Sequence, residues 1–170
     1  MENKSAPAHE NGMKLKATEG NSYPLFNQEN LREGEIRSMR LAALNTLEHR
    51  QKESGNKTYI ILDKDLWQFD AVVKSSDMDT HDSLSGKWID FKEDLTYDYG
   101  LYQDKHGSGK YIYDLDKAIM LLVDDSDGIK PQEFDVKLRN DMMVLVGQYV
   151  YQDNNLQCKL TRLDTIPVKK

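Results

Sequence analysis

The sequence is short of the residues that most often announce a chemistry. Its 170 residues include one cysteine, four histidines and four prolines. Cys158 has no partner for an internal disulfide, which fits a reducing compartment. His9, His49, His81 and His106 stand apart, and neither Gly-x-Ser-x-Gly nor the phosphate-cradling Gly-x-x-x-x-Gly-Lys-Ser/Thr occurs. The expectation is a protein that is not an enzyme. No run approaches the ~18–20 apolar residues of a membrane-spanning helix. Residues 1–7 contain no apolar stretch of the kind a secretory signal needs, so the sequence predicts a cytoplasmic location.

Metal-binding patterns are equally thin. Asp77, Asp79, His81 and Asp82 lie close together, but the segment lacks the glycine and terminal glutamate of a calcium loop and the His/Cys content of a zinc site. Asp124-Asp125-Ser126-Asp127-Gly128 mimics part of a calcium loop, yet its frame puts Val123 first and Phe134 twelfth, so it reads as a turn. No metal and no cofactor is expected.

What is present is charge and short β-type runs. Charged residues make up 31% of the chain and the net charge is −6. Residues 1–27 carry three Lys and three Glu, and residues 28–54 balance five basic against five acidic side chains. The remaining 15 basic and 21 acidic residues put the whole net charge on residues 55–170. An acidic unit repels phosphate, which disfavours direct nucleic-acid binding.

Three segments follow. Residues 1–27 form a polar tail in which only Tyr23-Pro24-Leu25-Phe26 is apolar. Tyr23, Leu25 and Phe26 are therefore candidate anchors, for this chain or for a protein partner. Residues 28–54 predict an amphipathic helix, with Asn30 and Glu33 shaped as a capping box. Leu31, Ile36, Met39, Ala43, Leu44 and Leu47 form its apolar stripe, and Arg32, Glu33, Arg37, Arg40, Glu48 and Arg50 its polar side.

Residues 55–170 read as β structure. A run at 58–62 is followed by 66–73, where Trp67, Phe69, Ala71 and Val73 alternate with polar neighbours. Residues 74–83 read as a loop. Further strands are expected at 86–92, 95–103, 109–114, 117–123, 132–139, 142–151 and 156–163, with short links that include residues 105–109. Eight such strands suffice to close an up-and-down barrel. Residues 118–123 and 142–146 are apolar on both faces, so the helix or a partner should cover them from outside.

Gly86-Lys87-Trp88, then Phe91, Thr96-Tyr97, glycine-rich turns and a distant Arg162, resemble the lipocalin-like β-barrel family common in Bacteroidetes, over residues 62–163. The resemblance implies an eight-stranded antiparallel lipocalin-like barrel. It also implies that Gly86, Trp88 and Arg162 close the barrel base, and that a cavity holds a small apolar molecule. Two features depart from that pattern. Trp67 competes with Trp88 for the tryptophan position, and a helix precedes the barrel.

Two functions are expected from this reading. The first is a non-enzymatic binding module whose interior holds a small apolar or amphipathic molecule. Trp88, Phe91, Tyr97, Tyr99, Tyr111 and Tyr113 are its candidate lining, against a reading in which they fill the interior or pair outside. The second is an accessory subunit of a larger cytoplasmic assembly, with transcription or translation machinery as conceivable hosts, docking a protein partner through residues 23–50 or the outer apolar strands.

Overall fold

The eight barrel strands turn inward at alternate residues, with a bulge in β2, and the chain closes those inward faces into a single tube. The computed structural model describes residues 16–17, 25–26, 32–54, 66–74, 77–81, 85–151 and 154–170. In chain order these hold β1 (Lys16–Ala17), α1 (Glu33–Ser54), β2 (Leu66–Lys74), β3 (Asp77–His81), β4 (Lys87–Phe91) and β5 (Thr96–Leu101). There follow β6 (Asp104–Asp114), β7 (Ile119–Asp124), β8 (Gln132–Arg139), β9 (Met142–Gln148), a 3₁₀ turn at Tyr149–Tyr151 and β10 (Leu156–Leu163).

Strands β4 to β10 pair antiparallel in sequence order, β2 pairs with β4, and β10 returns to pair with β2. The result is a closed eight-stranded antiparallel up-and-down barrel with one N-terminal helix. Strand β3 pairs with β2 as an added flap, and β1 lies parallel to the start of β6. Residues 74–83, expected as a loop, thus contain a strand. Residues 105–109, expected as a link, lie inside β6, and the chain turns earlier, at Tyr102-Gln103. The expected strand at 142–151 ends at Gln148. Tyr23, the Asn30 cap, Leu31, the run at 58–62 and the expected helix stop at 55–56 lie outside the described residues.

Alternation sorts the side chains. On β6, Tyr111 and Tyr113 enter the barrel while Ile112 faces outward; on β7, Met120 and Leu122 enter while Leu121 and Val123 face outward. Strand β2 breaks its own pattern. Leu160 pairs with Phe69 but Lys159 pairs with Ala71, leaving Asp70 as the extra residue of a bulge. The bulge shifts the parity, so Val72 joins Trp67 and Phe69 inside instead of the expected Ala71 and Val73.

Two glycines are explained by close approach. Gly109 and Gly107 lie directly across from Tyr97 and Tyr99, whose rings cover them; a Cβ on Gly109 would stand 2.5 Å from Tyr97 Cζ. Only glycine lets both rings lie flat on the neighbouring strand.

The helix covers one outward apolar face. Ala43 and Leu47, supported by Met39 and Leu44, pack on Ile112, Leu121, Val123 and Tyr151. Two arginines assigned to the polar side turn toward the barrel instead. Arg40, 9% exposed, donates to the carbonyls of Asp124 (2.7 Å) and Ile129 (2.9 Å), and Arg50 pairs with buried Glu133. Long arginine stems can cross apolar surface to reach such acceptors. The second doubly apolar strand is not covered by the helix: Met142, Val144 and Val146 on the outer side of β9 stay half-buried. Leu47→Ala is expected to lower unfolding free energy by about 2–5 kcal/mol through cavity formation. Leu41→Ala, at a position 61% exposed, should stay within ~0.5 kcal/mol. Urea denaturation of both variants checks the contrast.

Candidate functional site

The site builds up from one end of the barrel, where Lys87 and Gln132 begin their strands, Asp124 ends its own and Tyr99 lies two residues before the end of β5. Lys87 heads β4. Ile89 and Phe91 share its parity and are inside, so Lys87 also points inward. Its ammonium lies 5.3 Å from the Phe69 ring centroid and 5.7 Å from that of Phe26. It also donates to the backbone carbonyl of Leu25.

Leu25 and Phe26 do not belong to any barrel strand, yet each is only 5% exposed and both belong to the interior cluster. The Phe26 ring sits edge-on to Phe69 (5.9 Å between centroids) and tilted against Phe134 (5.4 Å). Two of the three candidate partner anchors are thus buried in their own barrel, and a partner cannot grip them in this state. Between the inserted pair and Tyr97, Leu122, Asp124, Ile129, Lys130 and Gln132 remains a cavity of about 10 Å³, room for a single water. Buried Gln132 Oε1 finds no hydrogen-bond donor among the described residues.

The aromatic candidates divide. Phe91, Tyr97, Tyr99, Tyr111 and Tyr113 are all buried in the interior cluster. Phe91 stacks edge-on to Tyr111 at 4.8 Å and Tyr97 lies 6.0 Å from Tyr99. Tyr111 gives its hydroxyl proton to the carbonyl of Lys92 (2.9 Å), and Tyr99 gives its own to Asp124. Tyr97 lines the small cavity. Trp88 is elsewhere. It packs outside the interior cluster with Leu66, Ile166 and Leu163, its indole N–H donating to the Tyr102 carbonyl at 2.7 Å. Trp88 and Phe91 are three residues apart, an odd spacing that cannot put both inside a regular strand.

The base-closing trio implied by the resemblance divides in the same way. Arg162 stacks on Trp67, 4.4 Å from its ring centroid, and not on Trp88. Gly86 (φ 84°) turns the chain into β4. On the outer face Asp90 and Asp98 lie opposite each other, and Lys92 (2.6 Å) and Lys105 (3.1 Å) clamp Asp98. That cluster is neutralised from within the chain.

Burial governs the ionisable groups. Tyr97 is held well above the ordinary tyrosine range by burial and then by the nearby Asp124 carboxylate; Tyr99 is raised by the same two causes. Asp124 is raised by burial, against the hydrogen bonds from Tyr99 and from the Ser126 amide (2.8 Å). Burial pushes the Cys158 thiol up to about 12. Cys158 lies in the interior cluster beside Leu145, Leu156 and Leu160.

Sequence reasoning missed Lys87, Phe69, Asp124, Phe134 and Gln132 as site residues. The alternation Lys87, Ile89, Phe91 carried the signal for the lysine. Nothing in the sequence marked Gln132.

The fold and this interior define a closed eight-stranded β-barrel whose interior is filled by its own side chains and by the inserted Leu25–Phe26 pair. Among solved structures, the chain is similar to a DUF4847 family protein from Bacteroides vulgatus, with a TM-score of 0.46 and 10% identity, covering 62% of this chain and 97% of that one. No protein-family model and no curated protein matches the chain.

Two outcomes are expected here. Asp124 has a raised pKa in the folded chain, so its stabilising contribution is complete below its ordinary value of 3.8 and is lost as pH rises through the raised value. Asp124→Asn, which still accepts from Tyr99, should flatten the fall in stability between 3.8 and the raised value, as read by denaturant melts from pH 3 to 7. Cys158, 1% exposed, should resist thiol reagents at pH 8 in the native chain and react on unfolding.

Proposed function

We propose that this protein is a non-enzymatic binding module whose barrel interior holds a small amphipathic molecule. The observation that carries the reading is that the interior already takes a guest from outside its own strands. A large apolar side chain, Phe26, sits between Phe69 and Phe134, and the acceptor beside it, the Leu25 carbonyl, is read by Lys87. A small molecule with an apolar body and one acceptor group has the same two needs. Such sites are mostly apolar with a few placed polar groups, and Lys87, Tyr97 and Gln132 supply those here.

The non-enzymatic part rests on how the reactive groups are spent. His49 is exposed and paired with Glu53 at 3.2 Å on the helix, and the Cys158 thiol is buried among aliphatic side chains. The accessory-subunit reading loses support from Leu25, Phe26 and, in the helix stripe, Met39, Ala43, Leu44 and Leu47, which are used within the chain.

Titration of the full chain with a fluorescent long-chain carboxylate, together with native mass spectrometry, tests the proposal. Saturable binding of one molecule per chain, displaced by an unlabelled fatty acid, is expected. Absence of saturable binding, both by the natural chain and by a chain whose Leu25 and Phe26 are cut to alanine, sinks it.

A further inference from the structure

We infer that the outer face of β9 is a docking surface for an amphipathic helix of another protein, one whose apolar stripe is flanked by acidic side chains. The inference concerns the outside of the barrel and does not depend on the proposed binding function of the interior.

The chain supplies its own precedent. Strands β7 and β9 both carry apolar residues on both faces. On β7 the outward pair, Leu121 and Val123, is covered by Ala43 and Leu47 of α1. Charge fixes that cover at its flank: Glu133 lies across from Leu121 on the next strand, and Arg50 of the helix pairs with it. Strand β9 presents the same ingredients without the helix. Met143 and Leu145 enter the barrel, so Met142, Val144 and Val146 face outward. Helix α1 packs on β6 and β7 and leaves these three half-buried.

Cross-strand register sets the sign of the partner. Val144 lies between Lys137 of β8 and Lys159 of β10, and Met142 has Arg139 beside it. Val136, Leu138, Cys158 and Leu160 are inside, so all three cations share the outer face with Val144. They are exposed, and among the described residues none of them forms an ion pair. Asp135, beside Val146, is the one acid in these rows. Two strand spacings put Lys137 and Lys159 roughly 10 Å apart across the Val144 ridge. A helix with its side chains is about 10–12 Å across, so one seated on Val144 brings its flanks over both lysines. The same register disfavours other occupants. A second copy docked face to face would set these cations against themselves, and an anionic lipid surface would meet a chain of net charge −6.

The test reads fluorescence anisotropy of two labelled helical peptides of about 20 residues against the full-length chain. Both carry the same leucine stripe, flanked by Glu in the first and by Lys in the second. The Glu-flanked peptide should bind about tenfold tighter or more, a preference that shrinks as salt is raised. Lys137→Glu combined with Lys159→Glu should reverse the preference, and Val144→Ser should weaken the Glu-flanked peptide about threefold. No saturable binding of either peptide overturns the docking surface, and so does a Glu preference that the double variant keeps. Equal binding of the two peptides by the natural chain overturns the acidic partner. A dimer of the natural chain in sedimentation that Val144→Ser dissociates assigns the face to a second copy and overturns the proposal. Binding to phosphatidylserine vesicles that the double variant loses assigns it to lipid, with the same result. Circular dichroism confirms folding. If the double variant does not fold, Lys137→Gln alone should cut the Glu preference about threefold, and an unchanged preference there overturns the proposal.

Discussion

In a closed sheet every residue is assigned to the inside or the outside by its parity, and no edge remains where a slip can be absorbed. This constraint explains more of the structure than any single contact. It places Lys87 inside and Trp88 outside although they are neighbours. It requires the bulge at Asp70, because without the extra residue Val72 would face outward, and Ala71 and Val73 would enter opposite Cys158 and Leu156. It also sets glycines at 107 and 109, since two tyrosines entering from one strand need room on the next.

Much of the barrel was legible in the sequence for this reason. Short alternating runs ended by Gly, Asp or Asn gave seven of the eight barrel strands to within a few residues, and the outward apolar set on β7 called for a cover by the helix or a partner, which the helix supplies. The start of β6 was not legible, because Lys105-His106-Gly107-Ser108-Gly109 has the composition of a turn. Those glycines serve the tyrosine rings across from them, a relation between strands that composition cannot show. Strand β3 was missed because Asp77–His81 is polar and pairs only with the end of β2. The site was less legible than the fold. Five of six aromatic candidates are inside, and the sixth fails on a parity that the sequence did contain. Arg40 and Arg50 were assigned outward by hydropathy, which cannot see the backbone carbonyls and the buried carboxylate that draw them in.

Asp124 is where the layers meet. Its carboxylate receives Tyr99 inside the barrel and its carbonyl receives Arg40 from the helix outside. The next residue, Asp125, donates its amide to Ser108 on β6 and takes the Ser108 hydroxyl at 3.1 Å. One corner thus fixes β5, β6, β7 and α1 relative to each other. The same corner walls the cavity beside Phe26. This end of the barrel is therefore tied together on the β5–β7 side, and the inserted Leu25–Phe26 pair is the part of it that no strand ladder holds.

The seam between β2 and β10 sets the order in which the molecule can assemble. Every other barrel pairing joins strands that follow one another along the barrel, whereas Trp67 meets Arg162 across most of the chain. Closing so long a loop costs only about 0.6 kcal/mol more for each doubling of its length, so the seam is not thermodynamically weak, and eight paired residues span it. Its burden is kinetic. The hairpins from β4 to β9 can search locally, but β2 must wait for β10 to exist before the tube has an inside. During synthesis Leu25, Phe26 and β2 emerge before β10, and the β2 edge stays unpaired on that side until β10 has been made.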